Sequence, residues 1–144
     1  MPSVNRLTVA IAAAGLSLCA GIAMGADVVA VVSAKSSVAT LSKAQAADIF
    51  LGKVSQFPDG SPAVPLDQAE GSAARDEFYA RYAGKSPPQL KAHWSKIIFT
   101  GRGQPPMEIA NSADLKKRVA ENPNAIGYLD QNLVDSSLKV PLGQ

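Results

Sequence analysis

The chain has 144 residues, 47% of them hydrophobic, with a single cysteine and a formal charge of +2. That length suffices for one domain whose core is held by apolar burial. The near-neutral balance excludes the basic stripe of a nucleic-acid binder, and one cysteine excludes a disulfide framework.

The N-terminus opens with "MPSVNR", carrying Arg6, followed by the uncharged apolar run "LTVAIAAAGLSLCAGIA" and then "AMGA". This order of basic residue, apolar run and small residues is that of a secretory signal. Ala23 and Gly25 fit the two small positions of a cut before Ala26; a cut before Asp27 places the bulkier Met24 at the outer one. The expectation is a signal over residues 1–25, a mature domain over residues 26–144, and export to the periplasm. A retained membrane anchor is the alternative, since the run is about long enough to span. Cys19 falls inside the apolar run, after the bulky Leu18, and is read as part of the discarded segment rather than as a lipidation site. The remaining 119 residues carry 13 basic and 12 acidic side chains, a charge of +1, and no cysteine.

The mature part begins with "DVVAVVS", a nearly continuous β-branched run that reads as a strand buried on both faces. A polar loop over Ser33 to Ser37 follows. "SKAQAADIFLGK" is a helix, with Ser42 as N-cap and Gly52 as its C′ residue. Pro58-Asp59-Gly60 is a turn. "AVPLDQ" is a short strand, residues 71–83 read as a helix that Gly84 stops, and Ser86 caps the next helix with prolines in its first turn. The apolar face of that helix is Leu90, Trp94, Ile97 and Ile98. "SADLKKRVAENPN" is a further helix, capped by Ser112 and ended before Pro123. "AIGYLD" and "LKVPL" are late strands around a turn or single helical turn. Strands alternating with helices predict an α/β layer structure: a mostly parallel sheet flanked by helices.

The chemistry concentrates at the corner between "AVPLDQ" and the helix after it. In such sheets ligands bind beyond the carboxyl ends of strands. Glu70-Gly71-Ser72 forms the turn there, and the N–H groups of Ser72, Ala73 and Ala74 open the helix, where a positive dipole end favours an anion. Gly71 allows a close backbone approach. Ser72 offers a hydroxyl to a guest or caps its own helix. Arg75 lies one turn on, able to reach an anion or to pair with Glu70 or Glu77.

Three stretches, taken in order, resemble the phosphate-binding, solute-binding proteins of ABC transporters: "VVAVVSAKSSVATLSKAQAADIFLGK", "FPDGSPAVPLDQAEGSAARDEF" and "NPNAIGYLD". They are similar to that family's first strand with its serine-bearing loop, its L-x-x-x-Q-x-x-x-I-F-x-G-K helix, its D-G-S-G-T anion loop and its I-G-Y strand. In this chain Ala74 stands at the threonine of the anion loop, Glu70 at its aspartate, and Gln68 where phosphate binders often carry arginine. The resemblance implies a single lobe of a type II periplasmic-binding-protein-like fold. It further implies non-covalent capture of phosphate or a similar small oxyanion for ABC-type uptake or sensing, with an ABC transporter permease as partner. Glu70 would accept a hydrogen bond from a protonated oxyanion, and the loop with Ser36 and Ser37 would add hydroxyls on the same sheet edge if the strands are parallel. The family clamps its ligand between two lobes, so one lobe leaves open weak binding, closure by a second copy in a homodimer, or loss of the ligand. An envelope interaction module without a small ligand is the alternative function.

Arg102, between two glycines in "TGRGQPP", either swings over a bound oxyanion or is a surface residue. His93 is the only histidine and has no second ligand at metal spacing, so neither a metal site nor a cofactor is expected. Tyr79 and Tyr82 read as helix-face residues over the core, and Tyr128 as packing on the sheet. Lys116, Lys117 and Arg118 fall on different helix faces. No nucleophile stands beside a base, and "EGSAA" lacks the second glycine of a nucleophile elbow, so no enzyme is expected.

Overall fold

The computed structural model of the protein describes residues 27–141. The signal expected over residues 1–25 lies outside them. Five strands form one mixed sheet: β1 (Val28–Ser33), β2 (Val64–Gln68), β3 (Met107–Ile109), β4 (Ala125–Asp130) and β5 (Leu138–Lys139), in spatial order β3-β2-β4-β1-β5. β2 runs parallel to β3 and to β4. β1 runs against its two neighbours, pairing Val28 with Asp130 and Val32 with Ile126 on one side, and Ser33 with Leu138 on the other. Four strands therefore share a direction and one opposes them.

The β-branched run of β1 is explained by helices on both faces. Val28, Ala30 and Val32 face one core together with Ile126 and Tyr128 of β4; Val31 faces the other with Leu129. The first core holds α1 (Lys43–Phe50), α2 (Ala73–Phe78) and α3 (Pro87–Phe99); the second holds α4 (Ser112–Glu121). Stacked aromatics centre the first core. Phe78 lies flat on Tyr128 with ring centroids 4.2 Å apart, and Tyr82 stacks on its other side at 4.5 Å. Contacts of this kind add about 0.5–1.5 kcal/mol each beyond burial.

Local chemistry sets the helix ends. Ser42 and Gln45 close a capping box at α1, and Ser86 and Gln89 close another at α3, where prolines occupy the first turn. Gly52, at φ +72°, follows α1. The helix expected over residues 71–83 starts at Ala73 and widens into a π turn over Tyr79–Ala83 before Gly84. This turn buries both Tyr79 and Tyr82, and the Tyr82 hydroxyl accepts the Ala30 amide at 3.1 Å, on a stretch of β1 that β5 is too short to cover. Two expectations are corrected. The cap of α4 is Asn111, not Ser112: its extended backbone and its side chain, which accepts from the Asp114 amide at 2.9 Å, start the helix one residue earlier. On α3, Leu90 and Trp94 are buried but Ile98 is 55% exposed and Phe99 92%, because the end of the helix projects past the core.

Candidate functional site

The last two residues of β2, Asp67 and Gln68, are polar and buried. A buried charge requires partners, and the fold supplies them from two other elements. The Asp67 carboxylate accepts the Tyr79 hydroxyl at 2.6 Å, the Tyr128 hydroxyl, and the Gln68 amide at 2.9 Å. The Tyr128 hydroxyl also accepts the Gln68 amide, at 3.1 Å. Burial pushes the Asp67 carboxyl above its ordinary range, while the Tyr128 and Tyr79 hydroxyls, the Arg75 charge and the Gln68 amide pull part of the way back. Burial and the Asp67 charge hold both phenols far above the ordinary tyrosine value, so both stay protonated and donate.

Gln68 carries the network outward. Its Nε2 donates to the Tyr128 carbonyl at 3.1 Å, and its Oε1 accepts the Ser72 hydroxyl at 2.8 Å. Ser72 Oγ in turn accepts the Arg75 amide at 3.3 Å as the N-cap of α2. Arg75 Nη1 donates to the Gln68 carbonyl at 3.0 Å and to Glu108 of β3 at 2.8 Å. Its guanidinium carbon lies 5.8 Å from the centre of the Tyr79 ring. Burial works against the Arg75 charge, but Asp67 and Glu108 outweigh it and raise its pKa. The partner of Arg75 is thus Glu108 rather than Glu70 or Glu77; Glu77 pairs with Arg81 at 3.1 Å.

The corner itself turns at Gly71, with φ +90°. A Cβ there would meet no protein atom within 4 Å, so within the fold itself glycine is needed for its backbone conformation. Ser72 N–H donates to the Ala69 carbonyl at 3.1 Å and is spoken for. The N–H groups of Ala73 and Ala74, in the first turn of α2, meet no acceptor among the described residues. Glu70 and Arg75 of this corner also line a recess of about 230 Å³, shared with Asp76, Lys85, Lys91, Leu90, Trp94 and Glu108; Ala73 and Ala74 are not among its lining residues.

Of the residues singled out in the sequence, Gly71, Ser72, Ala73, Ala74, Glu70 and Arg75 come together at this corner. Ser36 and Ser37 do not. β1 runs opposite to β2, so its following loop leaves at the other edge of the sheet, where Ser37 donates to Asp59 at 2.7 Å and the Ser36 carbonyl accepts Lys139 at 2.6 Å. Arg102 is also apart, over a different recess with His93, Lys96 and Thr100. His93 bonds the Leu51 carbonyl at 2.9 Å through Nε2. No group of three His, Cys, Asp or Glu side chains able to hold a metal occurs among the described residues. The sequence reading gave Asp67 and Glu108 no role, and it assigned Tyr79 and Tyr128 to packing, which they do while also donating to Asp67. The one signal for Asp67 was a carboxylate at the end of an otherwise apolar strand.

No family model matches the sequence, and no curated protein matches it. Solved structures do match the fold. A putative phosphate ABC transporter substrate-binding protein with bound phosphate from Clostridium perfringens superposes with a TM-score of 0.62 at 24% identity, covering 78% of this chain and 43% of that one. An ABC-type phosphate transport receptor from Vibrio cholerae gives 0.61 at 17% identity, over 78% and 44%. A possible phosphate binding protein from Planctomyces limnophilus gives 0.56 at 18%, over 78% and 39%. The chain spans less than half the length of these structures, and the likeness is one of fold alone.

Proposed function

We propose that this chain is an exported solute-binding protein that captures phosphate or a similar small oxyanion non-covalently, for ABC-type uptake or sensing. Residues 1–25 act as the secretory signal, residues 26–144 form the binding domain in the periplasm, and an ABC transporter permease receives the ligand. The observation that carries the reading is the corner after β2: two adjacent N–H groups without an acceptor among the described residues, those of Ala73 and Ala74, open α2 beyond the carboxyl end of a strand, and Arg75 is the next residue of that helix. The substrate-binding lobe fold supports it. Because the Ser72 proton is directed to Gln68, the guest's donors are the two amides together with Nε and Nη2 of Arg75, which neither Gln68 nor Glu108 uses. Ser72 sets the turn, and Glu70, exposed on the rim, accepts from a protonated oxyanion.

The test is calorimetry with phosphate and sulfate on the wild type and on Ser72→Asp. Aspartate caps a helix as well as serine does, so α2 is retained. Its charge, roughly 4 Å from a bound anion, opposes binding by about 4 kcal/mol at an effective dielectric constant of about 20. Saturable heat in the wild type and a loss of affinity of about a thousandfold in the variant are expected. Equal heats from the two proteins refute the site.

A further inference from the structure

The buried carboxylate of Asp67 has no part in the capture just described, yet Gln68, the Ser72 hydroxyl and Arg75 all lead back to it through hydrogen bonds. It is 2% exposed and takes three donors, two of them phenols from the π turn and from β4. Tyr128 reaches further than Tyr79. Its hydroxyl donates to Asp67 and accepts the Gln68 amide, whereas the Tyr79 hydroxyl bonds to Asp67 alone. From Gln68 the bonds run to the Ser72 hydroxyl through Oε1 and to Arg75 through the carbonyl. Among the described residues no buried side-chain nitrogen or oxygen is left without a partner. A fully satisfied network of this kind fixes one arrangement, because any rotation of a member strands a buried donor or acceptor.

We propose that Asp67 is the positioning residue of the corner: by accepting the Gln68 amide itself and by holding the Tyr128 hydroxyl against the same amide it locks Gln68, and through Gln68 it fixes the Ser72 hydroxyl and the Arg75 guanidinium before any ligand arrives. Asp67 touches no ligand. It fixes which way the proton of Ser72 points, and so leaves the amides of Ala73 and Ala74 and the outer edge of Arg75 as the donors presented to a guest. Removing the Tyr128 hydroxyl or the Asp67 charge takes away or weakens one of the two acceptors of the Gln68 amide, which loosens Gln68 and lets the corner sample further arrangements. Removing an equivalent buried hydroxyl elsewhere in the same aromatic cluster costs stability and leaves the corner alone. Tyr82 is that control: it stacks on Phe78 as Tyr128 does, but its hydroxyl serves Ala30 of β1.

The experiment compares Asp67→Asn, Tyr128→Phe and Tyr82→Phe by nuclear magnetic resonance of the ligand-free protein, followed by phosphate calorimetry. The inference rests on the oxyanion-capture reading for the calorimetric arm only; the ligand-free spectra judge it independently. In Asp67→Asn and Tyr128→Phe, the backbone amides of Gln68, Ser72 and Arg75 and the Gln68 side-chain amide should shift and broaden, while signals of α4 and β5 hold. Phosphate affinity should fall about tenfold or more, as for loss of hydrogen bonds to a charged group. Tyr82→Phe should lower the melting temperature with the corner signals in place. Should Asp67→Asn fail to fold, Tyr128→Phe decides alone. Corner signals that match the wild type in a folded Asp67→Asn or Tyr128→Phe overturn the proposal, as does a Tyr82→Phe protein that disturbs the corner equally. A wild type that takes up no phosphate sinks the capture reading and leaves the spectra to decide this one.

Discussion

Gly127 sits at the middle of β4, opposite Val31 of β1, with its hydrogen side turned towards α4. A Cβ built there falls 2.8 Å from Leu115 Cδ2 and 3.0 Å from Val119 Cγ2. Both side chains are fully buried, so neither can swing into solvent to make room. Gly127→Ala therefore forces α4 off the sheet by a fraction of an ångström. Overpacking of this kind costs about 1–3 kcal/mol. For a domain of this size that corresponds to a fall in melting temperature of about 4–12 °C. Circular dichroism melts give the shift, and a double-mutant cycle gives its cause. Leu115→Ala alone should cost about 2–5 kcal/mol by opening a cavity. In the Gly127→Ala background the new methyl fills part of that cavity, so the combined loss should fall short of the sum by about 1 kcal/mol. A Gly127→Ala melt that overlays the wild type, or a cycle additive within about 0.3 kcal/mol, would refute this account of how α4 meets the sheet.

Gly52 combines two demands, φ +72° and a Cβ position 2.9 Å from Trp94 Cη2. Gly52→Ala should cost about 1–3 kcal/mol for the backbone conformation alone. It should also change the emission of the chain's single tryptophan; full stability with unchanged emission contradicts the contact. The pH dependence of stability has two opposing sides. The Lys116 ammonium and then Ser137 hold Asp135 below its ordinary value of 3.8, and the Ser61 and Ser37 hydroxyls do the same for Asp59. Their stabilisation is present above 3.8 and is lost as pH falls through their lowered values. Asp67 is shifted the other way by burial, so its stabilisation is complete below 3.8 and is lost as pH rises through its raised value. Urea titrations across this range should therefore show Asp135→Asn flattening the acid side and Asp67→Asn flattening the side above 3.8; a profile unmoved in either variant removes that group from the explanation.

The amino-acid sequence by itself determined what depends on neighbours a few residues apart. Ser42 with Gln45 and Ser86 with Gln89 satisfy helix ends through bonds spanning three positions, and those caps are legible as short motifs. Gly52, Gly71 and Gly84 mark turns because each carries a positive φ that side chains resist. The β-branched run of β1 announced a strand covered on both sides. What the sequence could not state is direction. Whether β1 runs with or against β4 depends on pairing between segments about a hundred residues apart, and an apolar run reads the same both ways. That single choice carried Ser36 and Ser37 to the far edge of the sheet and left the corner to residues from β2, α2, the π turn, β3 and β4. Asp67 meets Tyr79 across 12 positions and Tyr128 across 61. Only the packed fold brings those hydroxyls to a carboxylate, because burial, which makes the partners necessary, is itself a product of the tertiary structure.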